Sequence, residues 1–289
     1  METTELLKRV RKIEIKTKGL SRQLFSGEYH SAFKGRGMSF SEVRNYQFGD
    51  DVRNIDWNVT ARTGEPHVKI FEEERELTVM LLIDISQSSY FGTEQQLKQE
   101  FITEISAVLS FSAIQNNDKV GVIFFSDTIE KFIPPKKGKQ HILRIIRELI
   151  DIQPQRQATD IGQALRYLNN LIKKRSICFL LSDFIAEPFE APLRIAGRRH
   201  DIIGVQVYDP KEEQLPKVGL IRAKDTESGK IGWIDTGSSK VRERYAEWFK
   251  NNQQQAKTTF LKSGADWINI RTDDSYVNAL LSFFKKRIG

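Results

Sequence analysis

The sequence predicts an α/β protein with a doubly wound, mostly parallel sheet, preceded by an N-terminal helix and a small β-containing module. Leu77–Ile83 is an apolar run that ends in Asp84, as a strand covered on both faces would be. From there strand-like runs alternate with amphipathic helical ones to the end of the chain, the pattern of a parallel sheet with helices on both faces. The 289 residues suffice for one large domain with a smaller appendage and a sizeable core.

Residues 1–34 form the first segment. Within 5–24, Leu6, Val10, Ile13, Leu20 and Leu24 fall near one helix face, with Lys8, Arg9, Arg11, Lys12 and Lys16 largely elsewhere. This predicts a helix docked on the body with a solvated basic face. A membrane-surface helix needs a richer apolar face. Residues 35–76 form a second segment, where Gly35-Arg36-Gly37, Phe48–Asp51 and Arg62–Pro66 read as turns and His67–Phe71 alternates like a half-exposed strand.

The third segment, 77–289, holds the main domain. After the Leu77–Ile83 strand comes a helix over about Glu94–Gln115, with Leu97, Phe101, Ile105, Val108 and Leu109 on one side. Strands follow at Val120–Phe125 and Ile129–Ile133, then helices at Lys139–Ile150 and Ile161–Lys174. A strand at Ile177–Leu181, a helix at Phe189–Arg199 and a strand at Ile202–Val207 continue the alternation. An inserted hairpin over 219–235 interrupts it, with a Gly-containing loop at Asp225–Lys230. A long polar helix from Ser239 to about Lys262, a strand at Asp266–Ile270 and a helix at Tyr276–Arg287 close the chain.

Composition narrows the function classes. The formal charge is +7, but residues 1–36 carry +5 and Lys285-Lys286-Arg287 carry +3, which leaves the body at −1. Basic ends around a neutral body argue against a nucleic-acid-binding core. The lone Cys178 excludes a disulfide scaffold and points to a reducing compartment. No apolar stretch approaches the roughly 20 residues of a membrane span, and Met1–Lys18 lacks the apolar core of a signal peptide. A cytoplasmic location is expected.

Several sites are missing from the sequence. It has no phosphate-binding Gly-rich loop ending in Lys-Ser/Thr, no Gly-x-Gly-x-x-Gly between strand and helix, and no Gly-x-Ser-x-Gly elbow. His30, His67, His141 and His200 lack zinc-ligand spacing, and Cys178 sits in an apolar strand as an inert thiol.

What remains lies where strands end. Asp84, Ser86 and Ser88 follow the first parallel strand, Thr159 precedes the helix at Ile161, and Asp183 ends the strand begun at Ile177. Each has an ordinary reading as a turn former or helix cap, with Gln163 available for a capping box at Thr159 or Asp160. All three positions nevertheless meet at the carboxyl edge of one sheet, where open α/β folds bind ligands. Hydroxyl and carboxylate oxygens without imidazole or thiolate suit Mg²⁺ or Mn²⁺. An ion held this way has room for one more anionic ligand, such as a Glu or Asp of a partner protein. With no general base beside it, the pattern argues against hydrolysis.

At these residues the chain resembles a von Willebrand factor A-type domain. Asp84, Ser86, Ser88, Thr159 and Asp183 match the five positions of its metal-ion-dependent adhesion site one by one. The resemblance implies that Ser86, Ser88 and Thr159 coordinate Mg²⁺, with Asp84 and Asp183 close by. It departs at Phe184 and Ala158, where Gly is common, and Phe184 is expected to narrow the mouth of the site. Upstream, Gly35–Phe40, Glu42–Arg44, Tyr46, Phe48–Arg53, Ile55–Trp57 and Thr60–Gly64 resemble the signature of the bacterial family called domain of unknown function 58. That resemblance implies a partner among the MoxR-type AAA+ ATPases, or its client, in chaperone-like maturation or metal insertion.

Within the signature, Arg36, Glu42, Arg44, Tyr46, Asp50, Asp51, Arg53, Asp56, Trp57 and Arg62 allow two roles. One is an internal network of ion pairs and aromatics that clamps the module to the main domain; the other is a recognition surface. The expectation from sequence is a non-enzymatic adaptor. Its rivals are an Mg²⁺-dependent phosphohydrolase using the same site, and a nucleic-acid or membrane-surface module using the basic termini.

Overall fold

A computed structural model of the chain describes residues 8, 10–17, 20, 38–73, 76–90, 92, 97–154, 156, 158–224 and 231–288. The chain divides into two compact units, residues 33–77 and the remainder.

In the small unit, β1 (Met38–Asn45) and β2 (His67–Glu73) form an antiparallel pair, and helix α1 (Trp57–Thr63) lies between them in sequence. Sequence patterning points to the second strand but not to α1, which is a seven-residue helix set by its ends. Asp56 caps it by accepting from the Asn58 and Val59 amides, and Gly64 closes it at φ +76°, a left-handed conformation that favours glycine. The signature charges hold local turns. Arg44 makes a bidentate pair with Asp50 at 2.7 and 2.8 Å, and Arg53 pairs with Asp51 at 2.7 Å. Trp57 and Arg62 are exposed, Glu42 is exposed, Tyr46 is half-buried, and Arg36 lies outside the described residues.

The large unit is built on a six-stranded sheet. Its strands are β3 (Thr78–Asp84), β4 (Lys119–Phe125), β5 (Ile129–Lys136), β6 (Ile177–Ser182), β7 (Asp201–Tyr208) and β10 (Asp266–Arg271). They lie in the order β10-β7-β6-β3-β4-β5, all parallel except the edge strand β5. The α/β doubly wound fold expected from the sequence is the observed one. Strand order reverses at β3, which is flanked by β4 on one side and β6 on the other. The carboxyl ends of β3 and β6 are therefore the switch point of the fold.

Both faces of the sheet are covered. Met80, Leu82, Cys178 and Leu180 point into a core made with α4 (Ile161–Leu171), α5 (Glu190–Arg199) and Phe260 of α7 (Ser239–Lys262). Val79, Leu81 and Ile83 alternate with them and are equally buried. Helix α2 (Lys98–Gln115) packs against β3 and against α3 (Lys139–Asp151). Thirteen of its 18 residues are buried, so it reads apolar nearly all round. Within β7, a Cβ on Gly204 would come within 2.7 Å of the Phe260 ring, so only glycine admits that ring over the sheet. Burial pushes the Cys178 thiol pKa well up, as an inert core cysteine requires.

Three details depart from the sequence reading. Helix α2 begins at Lys98; residues 94–96 of the expected helix lie outside the described residues. A one-turn helix α6 (Pro210–Glu213) follows β7, made by an Asp209–Glu212 capping box with Pro210 in its first turn. The basic tail is only partly a tail. Arg287, near the end of α8 (Tyr276–Ile288), is ion-paired with Asp201 and, at 2.7 Å, with Asp266, its side chain 6% exposed. It fastens α8 to the start of β7 and β10 and is not a free surface charge.

Of the hairpin expected over 219–235, the antiparallel strands β8 (Leu220–Lys224) and β9 (Ile231–Asp235) are present; the expected loop at 225–230 lies outside the described residues. The N-terminal segment is helical over residues 10–17, with Val10 and Thr17 buried. Lys16 pairs with Glu104 of α2 at 2.6 Å, and Glu14 with Lys139 of α3 at 2.5 Å. Among the described residues no helix is long and apolar enough to cross a membrane.

Candidate metal centre

The carboxyl ends of β3 and β6 bring four of the five expected site residues together, three of them joined by hydrogen bonds. Asp84 is the last residue of β3 and 1% exposed. The chain then turns sharply through a 3-10 segment at Gln87–Tyr90, because the Ser86 amide donates to Asp84 Oδ1 at 2.9 Å and the Ser89 hydroxyl to the Asp84 carbonyl at 3.0 Å. This turn brings the Ser86 and Ser88 hydroxyls within 3.1 Å of each other. Ser88 in turn acts to lower the pKa of Asp183, which follows β6 and is 7% exposed.

Thr159 is placed at the same edge by a different route. The Asp160 amide donates to the Ser126 carbonyl at 2.9 Å, which pins the 158–160 loop beside the end of β4. Asp160, not Thr159, caps α4, its carboxylate accepting from the Gln163 amide at 2.8 Å. The buried Thr159 hydroxyl is thus left out of the capping role.

The electrostatics are those of a low-dielectric site. Burial pushes the Asp84 pKa up, and the charge of Asp183 adds to it; the Ser182 hydroxyl, donating to Asp84 Oδ2 at 2.6 Å, opposes the shift. Burial acts most strongly to raise Asp183, but Lys98, Ser88 and the Ile185 amide together outweigh it and the net shift is downward. Lys98, at the first turn of α2, is 1% exposed and donates to Asp183 Oδ2 at 3.0 Å and to Glu212 Oε1 at 2.7 Å. Burial lowers the Lys98 pKa, yet the two carboxylates together raise it above the ordinary lysine value.

Glu212 is fixed in turn by the capping box of α6, where its Oε2 accepts from the Asp209 amide at 2.8 Å. Burial raises its pKa, while Lys98 acts against that shift. Sequence reasoning missed Lys98, Glu212 and Ser182. A signal exists for Lys98, which shares a helix face with Phe101, Ile102 and Ile105; nothing local distinguishes Glu212.

Phe184 does not narrow the mouth of the site. Its backbone adopts φ +60°, and its ring, 5% exposed, turns away into the core. There it stacks 5.2 Å from Phe260 and 4.8 Å from Trp267. A left-handed conformation is costly for a side chain of this size, and the aromatic cluster offsets the strain. The Phe184 amide donates to the Ser182 hydroxyl at 3.0 Å, so the same serine orients Asp84 and anchors the turn. Beside this turn a cavity of about 330 Å³ opens between Phe184–Glu190 and α7, with Trp248 on its wall.

The donor set fits a hard divalent cation. Carboxylate and hydroxyl oxygens meet at a strand switch point, the donor chemistry that such cations take. The residues at this edge that could hold a cation are Asp84, Ser86, Ser88, Thr159 and Asp183.

Known proteins resemble the chain as follows. The uncharacterized protein Rv1480 of Mycobacterium tuberculosis is 28% identical over 291 residues, covering 99% of this chain and 91% of that one. Among solved structures, an aerotolerance-related membrane protein from Bacteroides fragilis aligns at a TM-score of 0.49 and 17% identity, covering 73% of this chain and 98% of that one. BatB from Bacteroides thetaiotaomicron aligns at 0.48 and 16%, with the same coverage. Residues 42–255 match the family profile described as "Protein of unknown function DUF58", and the chain belongs to that family.

Proposed function

We propose that this protein is a non-enzymatic interaction module that binds Mg²⁺ or Mn²⁺ at Asp84, Ser86, Ser88, Thr159 and Asp183 and engages an acidic residue of a partner protein there. The observation that carries the reading is the Asp84–Ser86–Ser88–Asp183 string of oxygens at the switch point of the sheet. The bound cation supplies an electrophilic position to which an external carboxylate can coordinate. The chain does the rest. Ser182 and the Ser86 amide hold Asp84 in one orientation, and Lys98 holds Asp183.

With donors fixed before binding, little ordering entropy is lost when a partner docks. The partner we favour is a MoxR-type AAA+ ATPase or its client, which extends the family resemblance of the 35–64 signature. The test is a binding assay between the full chain and such an ATPase with Mg²⁺, with EDTA, and with Asp84→Ala. Binding that needs the metal and is lost in the variant is expected. Binding indifferent to both refutes the metal-dependent reading.

A further inference from the structure

A buried ammonium beside a metal-binding carboxylate is an unusual element, because its charge has the wrong sign for the ion the site would take. Lys98 is one of the largest fully buried side chains of the protein, and its ammonium is held between Asp183 and Glu212. Neither carboxylate is free to move away. Asp183 Oδ1 accepts from the Ile185 amide at 3.2 Å, the Asp183 carbonyl accepts from Gln206 Nε2 at 3.1 Å, and Glu212 is locked in the capping box of α6. The cluster therefore has a fixed order: Asp84, Asp183, Lys98, Glu212.

The charges decide what this order does. Asp84 and Asp183 alone present two negative charges to a cation; Lys98 removes one of them, and Glu212 restores it from the far side of the ammonium. In a site shielded from water and salt, a single charge at this range changes the affinity for a dication by tenfold or more. If the pair served packing alone, apolar residues of similar volume would serve as well or better, since buried ion pairs are on balance weak contributors to stability.

Resting on the metal-site reading above, we propose that Lys98 and Glu212 are positioning residues that tune the divalent-cation affinity of the Asp84–Asp183 centre, Lys98 opposing binding and Glu212 favouring it. The ammonium also occupies Asp183 Oδ2 at 3.0 Å.

The test is calorimetric titration of the full chain with Mn²⁺ and with Mg²⁺, comparing wild type, Lys98→Met, Glu212→Gln, the Lys98→Met/Glu212→Gln double variant and Asp84→Ala. We expect Lys98→Met to bind about tenfold or more tightly and Glu212→Gln about tenfold or more weakly. The double variant, with the same net charge as wild type, should return to within about threefold of it. Circular dichroism monitors folding. Should Lys98→Met fail to fold, Glu212→Gln against the charge-balanced double variant still decides the sign. Wild-type binding that both single substitutions weaken, or that neither alters, overturns the proposal and leaves the metal site standing. Absence of binding in both wild type and Lys98→Met, or binding unchanged in Asp84→Ala, overturns the metal site and the proposal together.

Discussion

Ser182 and Asp84 are joined by a 2.6 Å hydrogen bond between β6 and β3, across the point where strand order reverses. The serine is fully buried and its oxygen also accepts the Phe184 amide, so one hydroxyl fixes both the first carboxylate of the site and the turn after the second. A hydrogen bond to a carboxylate in such a place is worth more than an average one.

Ser182→Ala removes this donor and leaves Asp84 Oδ2 buried without it. We expect a loss of about 1–3 kcal/mol in unfolding free energy, measured by urea denaturation, together with weaker Mn²⁺ binding. An unchanged urea midpoint would show that the bond contributes nothing net.

Phe184 sets backbone strain against packing, and two substitutions separate them. Phe184→Ala loses the aromatic cluster while keeping the strain, for a cost of about 3–5 kcal/mol. Phe184→Gly loses the same ring but accepts φ +60° freely, and should be about 1 kcal/mol more stable than the alanine variant. The reverse order in parallel denaturation curves would contradict the strain argument.

Arg287 and Lys286 are neighbours in sequence with different fates. Arg287→Met removes the ion pairs to Asp201 and to the half-exposed Asp266 and should destabilise by about 1–3 kcal/mol. Lys286 is exposed, and Lys286→Met should stay within about 0.5 kcal/mol of wild type. Thermal melts of equal midpoint would dismiss the proposed fastening of α8.

His200 gives the protein an acid-sensitive point away from the site. It is 1% exposed, and burial, with Arg199 and Arg175 nearby, lowers its pKa to about 4. The unfolded chain binds its proton near pH 6.5, so between there and pH 4 the unfolded state holds more protons than the folded one. Stability should fall as pH drops through this window, by up to about 3 kcal/mol from this residue. His200→Leu should flatten that slope between pH 6.5 and 4; a variant with the wild-type slope would assign the acid sensitivity elsewhere.

The sequence by itself determined the order and kind of the large unit's elements, because apolar period and turn chemistry are local properties. The Thr78–Asp84 strand, the helix at Ser239–Lys262 and the paired strands Leu220–Lys224 and Ile231–Asp235 were legible for that reason. It also placed Asp84, Ser86, Ser88 and Asp183 at or just after strand ends, since those positions follow from the strands themselves. Only the tertiary structure decided which charges meet. Lys98 and Glu212 are separated by 114 residues yet lie 2.7 Å apart, because α2 and α6 both close on the carboxyl edge of the sheet. Arg287 reads as tail in sequence and is a buried anchor in space. Phe184 reads as an obstruction, and its left-handed backbone turns it into core. Local pattern specifies what each segment becomes; the partners of a buried charge are set by packing between segments distant in the chain.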